Sequence, residues 1–378
     1  MGSKNEEVVE LAQKLVQINS ENPPGREKEI AAFIADFLKE TGLRPQKKEY
    51  VKGRPNILCR LNSQSRKKTI LISPHLDTVP AGNHWQHDPF GGKIVKGRLY
   101  GRGASDCKSN LAVSLQVLKE LKAKGGMKNI DVLWVATADE ESGSKAGFLP
   151  LVKELPALDY ALILDGCDFE IIFGQKGVLH IELEFQGKKA HAAYPEKGAN
   201  AIHKAALFIR KMQELIKLLP PAQPSSLTFN CGWIQGGEKV NMVAESCLVQ
   251  VDLRLPFGWT KARALQLVKK AIRLSRAAVH FKILAYQEPA LTSKDTVLIR
   301  ILKSSLVKNY LRPRLKTIRG ATVMSFLLRR QIPTAIFGFA TCGQEHTKDE
   351  YVRVANLIKG TNVLKDFLEL LDIATDGR

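Results

Sequence analysis

The sequence predicts an α/β protein: a mostly parallel sheet flanked by helices, with an inserted α+β domain of ferredoxin-like order. Three observations carry that prediction. Strand-like apolar runs alternate with helically periodic segments over both ends of the chain, as in a parallel sheet covered on both faces. Between them, the stretch 176–286 switches to apolar–polar alternation, the pattern of half-exposed strands. The length, 378 residues, is more than one hydrophobic core usually serves.

Each element follows from its own pattern. A first helix is expected over 5–18, where Glu6 and Glu7 suit the positive end of the helix dipole, and a second over 27–40. The short apolar runs "NILCRL" at 56–61 and "TILIS" at 69–73 read as strands, followed by a helix over 109–123. "IDVLWVAT" at 130–137 and "YALIL" at 160–164 are further strands. In the insertion, "KGVLHIELEFQGKKAH" is a strand, then come a helix over 200–217, strands in "SSLTFNCGWIQGG" and "NMVAESCLVQVDLRLPF", a helix over 260–275 and a strand in "AVHFKILAY". That β-α-β-β-α-β order is ferredoxin-like. Helices over 295–310 and 354–372 bracket a last strand, "PTAIFGF" at 333–339. The domain boundaries expected are 1–175 and 287–378 for the α/β domain and 176–286 for the insertion.

Composition narrows the function classes. Hydrophobic residues at 44% and charged residues at 25% are those of a globular protein. No apolar stretch is long enough to span a bilayer, and "MGSKNEEVVELAQKLVQI" has no apolar signal core, so a cytoplasmic protein without membrane contact is expected. Six cysteines, with no C-x-x-C pair, predict neither a disulfide framework nor a thiolate zinc site; buried packing is expected of them. The net charge of +19 is spread through the chain, with no basic tail or RNA-binding signature, so nucleic acid is not an expected partner.

Chemistry enters where strands end. "LISPHLDTVP" stops an apolar run at Pro74 and then places His75 and Asp77 two residues apart. Catalytic groups of open α/β folds gather past the carboxyl ends of strands. Four further clusters hold that kind of position: Asp106 in "YGRGASDCKSN", Glu140 and Glu141 after "VLWVATAD", Asp165 after "YALIL", and His346 after "PTAIFGFATCGQ". Two imidazoles and three carboxylates suit a divalent metal, zinc first, and one bridging carboxylate would let five ligands hold two ions. Asp77 is expected to hydrogen-bond the free nitrogen of the His75 ring and fix its tautomer.

"SPHLDTVP", "GRGASDCKSNLA", "TADEESGSKAG", "GKKAHAAYPEKGANAI" and "GQEHTKDEYV" together resemble the dimetal zinc-peptidase-like amidohydrolases: aminoacylases, acetylornithine deacetylases, succinyl-diaminopimelate desuccinylases and glutamate-type carboxypeptidases. The motifs run in the family's order over nearly the whole chain. The resemblance implies that 176–286 is a lid and dimerisation domain of a homodimer. It implies two divalent ions, zinc or else cobalt or manganese, held by His75, Asp106, Glu141, Asp165 and His346, with Asp106 bridging and Asp168 the alternative to Asp165. Glu140 would be the general base, and Asp77 would support His75. His191 would reach the partner's site to stabilise the oxyanion. Asn241 and Arg254 would bind a substrate carboxylate, and Gly320 would offer backbone amides to it. The implied reaction is hydrolysis of an amide in an N-acyl amino acid or small peptide with a free carboxylate. A carboxypeptidase or dipeptidase is the alternative within the family, and a non-catalytic polyanion-binding relative the alternative outside it. The sequence departs from the family's pattern at Val323, where an Asp is usual, and at Pro74, where Gly is common.

Overall fold

In a computed structural model the protein is described over residues 2–220 and 226–376. It divides into two compact units, one of Met1–Phe173, Thr292–Lys316 and Phe326–Arg378, the other of Gly174–Leu291 with Thr317–Ser325.

The first unit begins with helices α1 (Gly2–Gln17) and α2 (Glu27–Glu40), then the hairpin β1 (Gln46–Val51) and β2 (Arg54–Leu61), then β3 (Lys68–Ser73). A second hairpin, β4 (Lys93–Val95) and β5 (Arg98–Tyr100), precedes α3 (Lys108–Ala123), β6 (Ile130–Ala136), the short α4 (Phe148–Leu151), β7 (Tyr160–Leu164) and β8 (Glu170–Gln175). The second unit follows as β9 (Gly177–Gln186), α5 (Ala201–Lys217), β10 (Thr228–Gly236), β11 (Ser246–Leu255), α6 (Lys261–Leu274), β12 (Ala278–Gln287) and β13 (Ala290–Leu291). The chain then runs through α7 (Val297–Lys308), β14 (Arg314–Ile318), α8 (Met324–Arg329), β15 (Thr334–Phe337), β16 (Tyr351–Arg353) and α9 (Val354–Asp376).

The main sheet has the order β1-β2-β6-β3-β7-β15-β8. Its centre, β6-β3-β7-β15, is parallel, and these strands are buried along nearly their whole length, which is why they read as continuous apolar runs. The α/β class expected from the sequence holds. The sheet is mixed rather than mostly parallel, because antiparallel pairs flank the centre: β1 with β2, β2 with β6, and β15 with β8. The β1–β2 link is only Lys52 and Gly53, too short for a parallel crossover, and Gly53 takes the left-handed φ of 79° that such a turn needs. Strand β1, "QKKEYV", has a polar and largely exposed pattern, so no apolar signal announced it. Trp134 fills the core of this unit with its indole N–H donated to Ser114 Oγ at 2.9 Å.

In the second unit the sheet has the order β10-β11-β9-β12, all antiparallel, with α5 and α6 on one face. Alternate residues of β9 and β11 point into that core, among them Leu179, Ile181, Leu183, Val249, Val251 and Leu253. Asn200 and Thr260 cap α5 and α6, their side chains accepting from first-turn N–H groups. Among the described residues no helix is long and apolar enough to cross a membrane.

Candidate metal centre

Four parallel strands deliver the site. His75 and Asp77 follow β3, Glu140 and Glu141 follow β6, Asp165 follows β7, and His346 lies in the turn after β15; Asp106 comes from the loop leading into α3. Pairing continues past the strand ends and holds these loops in register, through a parallel bridge of His75 with Thr137 and another of Cys167 with Ala340. The loops after β7 and β15 approach so closely that a Cβ on Gly338 would lie 2.1 Å from Gly166 O, so only glycine fits there.

All five expected ligands come together. His75 Nε2 lies 3.0 Å from Asp106 Oδ1 and 3.6 Å from Asp165 Oδ1. His346 Nε2 lies 3.3 Å from Asp106 Oδ2 and 3.1 Å from Glu141 Oε2. Asp106 therefore turns one oxygen to each imidazole, and ligand atoms of His75, Asp106 and Glu141 lie within 4.8 Å of one another. Asp106, Glu140, Glu141 and Asp165 have no Lys or Arg ion pair among the described residues. A cluster of carboxylates with two imidazoles and no basic counter-ion is a donor set that fits divalent cations.

The electrostatics follow from that crowding. Burial pushes Asp165 up to about 6, helped by the Asp106 and Glu141 charges and opposed by the His75 hydrogen bond. Burial, and the Asp165 charge after it, also drive Glu140 well above the ordinary carboxylate range. Hydrogen bonds to Asp106 and Glu141 raise His346 to about 10. Burial opposes protonation of His75, yet its hydrogen bonds to the carboxylates of Asp106 and Asp165 hold it well above its usual value. The Glu140 carboxylate makes no hydrogen bond within the described residues.

The structure corrects the expected role of Asp77. The His75 Nδ1 partner is the Asp77 backbone carbonyl, 3.0 Å away, whereas the nearer carboxylate oxygen is 3.7 Å away. The chain after β3 curls the carbonyl back to the ring, and the carboxylate instead accepts from Glu140 N at 3.0 Å and Glu141 N at 3.1 Å. Asp77 thus anchors the turn that carries both glutamates. Behind it lies a buried network that no sequence pattern announced: Asn22 donates to Asp77 Oδ2 at 2.9 Å and Asp139 Oδ1 at 3.2 Å, and Arg54 pairs with Asp139 and the fully buried Glu27. Asp168, the alternative ligand, faces away, accepting from Arg353 and Asn356 at 3.0 Å each.

Glu350 is another residue that sequence reasoning missed. Its buried carboxylate accepts from Arg102 and from the backbone N–H groups of Gly103, Ser105 and Asp106, at 2.7 to 3.0 Å. It stands just before β16, whose pairing with β5 sets it against this loop. Removing it would leave Arg102 and three amides buried without their acceptor. Glu350→Ala is expected to cost on the order of 3–5 kcal/mol of unfolding free energy in urea titration, the range for breaking a buried pair; a loss under about 1 kcal/mol, as for an exposed pair, would contradict this.

The cysteines bring another correction. Cys167 and Cys342 form a disulfide across 175 residues of sequence, linking the loops after β7 and β15, where packing alone was expected. Their strands are sequence-distant but spatially adjacent, so no spacing could reveal the pair. Cys107 does pack as expected: its thiol donates to His75 O and accepts from His75 N, both at 3.3 Å, and burial pushes it up to about 12. Labelling of the denatured protein is expected to find four thiols without reductant and six with it; six in both cases would refute the disulfide.

The remaining candidates lie in the second unit. His191 is exposed, its Nδ1 accepting from Ala193 N at 3.0 Å, and it bridges Met242, next to the exposed Asn241. Arg254, on β11, is half-buried and ion-paired to Asp252 at 2.9 Å. Gly320 has no left-handed φ, and an added Cβ would meet nothing, so its backbone does not demand glycine. Val323 is buried, and its neighbour Thr322 is tied to Gln175 by hydrogen bonds of 2.7 and 2.8 Å.

Comparison with known proteins places these features in a wider set. The sequence profile of peptidase family M20/M25/M40 matches residues 71–370. An N-formyl-4-amino-5-aminomethyl-2-methylpyrimidine deformylase of Bacillus subtilis is 27% identical, over 96% of this chain and 94% of its own length. An acetylornithine deacetylase of Proteus mirabilis is 26% identical, over 92% and 90%. Among solved structures, aminopeptidase PepT from Bacillus cereus superposes with a TM-score of 0.81 at 22% identity, covering 98% of this chain and 99% of that one.

Proposed function

This chain belongs to peptidase family M20/M25/M40, and from that premise we propose that it hydrolyses an amide bond in N-acyl amino acids or small peptides that carry a free carboxylate. The observation that carries the reading is the pair of imidazole–carboxylate groups sharing Asp106, with the unbonded Glu140 carboxylate on the same turn as Glu141.

His75, Asp165 and one Asp106 oxygen would hold one divalent ion; His346, Glu141 and the other Asp106 oxygen would hold the second. Zinc suits this mix of imidazole and carboxylate, with cobalt or manganese as substitutes. When bound, the ions supply Lewis acidity toward a carbonyl and toward water. Glu140 takes the proton of the attacking water and passes it to the leaving nitrogen. A positioned carboxylate can serve both halves of that transfer, first as base and then as acid. Asp77 keeps Glu140 and Glu141 in place through their amide N–H groups.

The second unit would serve as lid and as the contact of a homodimer. Exposed Trp233 and Ile234 on the edge strand β10 support that contact. His191 of the partner subunit would then stabilise the oxyanion, Asn241 and Arg254 would grip the substrate carboxylate, and Gly320 would lend backbone donors. Arg254 has a free share of its donors, since among the described residues its one ion pair is to Asp252.

The test is a panel of acetyl-, succinyl-, formyl- and aminoacyl-amino acids offered to ion-loaded protein. Turnover of acyl members is expected. Turnover of dipeptides alone would move the assignment to a peptidase of the same family, and no turnover of any member would contradict the proposal.

A further inference from the structure

The positive charge of this protein is unevenly placed. No Asp or Glu occurs between Asp252 and Glu288, the stretch that forms α6 and β12. Lys261, Arg263, Lys269, Lys270, Arg273 and Arg276 are all exposed there, and none has an ion pair among the described residues. A run of unpaired like charges on one helix repels itself, so it is stabilised by an anionic partner.

A groove of about 470 Å³ lies between α6 and β12. Ile272, Val279 and Phe281 form its floor, and Gln266, Lys269 and Arg273, spaced along one helix face, form its rim. Phe281 is 37% exposed under the Lys269 ammonium, 6.0 Å from the ring centre. Strand β12 is an edge: among the described residues it pairs with β9 alone, and it is regular from Ala278 to Ile283 before its register shifts. Its outer main-chain groups are open to a further strand.

We propose that this groove docks an extended segment of a partner protein whose inward-facing residues are apolar and which is flanked by Asp or Glu. Added beside Ala278–Ile283, such a segment would make main-chain hydrogen bonds to β12 and send alternate side chains to opposite faces. One set fills the apolar floor. The other set lies on the far face of the sheet, where His280 and Lys282 stand opposite Glu184 and Glu182 of β9 and select no charge, while Lys269 and Arg273 reach acids that flank the segment. The open edge and the cations beside it select this occupant. The edge asks for main-chain hydrogen bonds, which neither a bilayer nor a nucleic acid supplies, and a second copy would set these cations against one another.

A random dodecapeptide phage library panned on the full-length protein tests this. Enrichment of sequences with apolar residues at alternate positions and acidic residues flanking them is expected. A synthetic peptide of the enriched sequence should slow hydrogen exchange at the amides of Ala278–Ile283. It should bind the Lys269→Glu/Arg273→Glu double variant about tenfold or more weakly, as loss of complementary charge predicts. The proposal is overturned by no enrichment, by enrichment without acidic preference, by protection elsewhere, or by equal binding to the double variant. It is also overturned if wild type, but not the double variant, binds a thymidine 20-mer or phosphatidylserine vesicles more tightly than the peptide, or if the double variant alone loses self-association.

Discussion

Glu140→Gln protein is expected to turn over its substrate about 10²–10⁴-fold more slowly than wild type, the range that a positioned acid–base group contributes. The amide is nearly the same shape as the carboxylate but cannot accept the water's proton. Glu140 is held by its backbone N–H to Asp77 Oδ1 at 3.0 Å, and its side chain bonds to nothing else described, so the substitution disturbs no packing or ligand contact. Metal content should therefore equal that of wild type. Loss of turnover at full metal occupancy isolates the proton transfer; undiminished turnover would remove Glu140 from the reaction.

Asp106→Asn should fail in a different way. Asp106 Oδ1 faces His75 at 3.0 Å and Oδ2 faces His346 at 3.3 Å, so both oxygens are committed. An amide keeps one oxygen and turns the other corner into an N–H donor that cannot ligate a cation. The variant should lose metal as well as turnover, with an affinity loss at least as large as the roughly 10–100-fold typical of removing an outer-shell partner. The neighbouring amide of Asp106 stays bonded to Glu350, so the loop keeps its anchor and the fold should persist in circular dichroism. Retention of both ions by this variant would mean that Asp106 does not bridge.

What the sequence disclosed and what it hid follow a physical line. The ligand candidates His75, Glu141, Asp165 and His346 were visible because each follows a buried apolar strand, and a polar residue at such a boundary stands out. The central strands announced themselves because both their faces are covered. β1 did not, since its side chains are mostly exposed and carry no apolar period. Glu350 acts on a loop 244–248 residues away and Asn22 on a carboxylate 55 residues away, and contacts of that kind leave no local pattern. The same holds for the Cys167–Cys342 pair. For Asp77, alternation along an extended chain predicts the carboxylate beside the His75 ring, whereas the curled loop presents its carbonyl and frees the carboxylate for the Glu140 and Glu141 amides.

Anomalous diffraction from crystals grown with zinc addresses the account most directly. Two peaks are expected about 3.5–4 Å apart, the usual spacing of a two-metal site, one against His75 and Asp165, the other against His346 and Glu141, with Asp106 touching both. A single peak, or two that do not share Asp106, would contradict it.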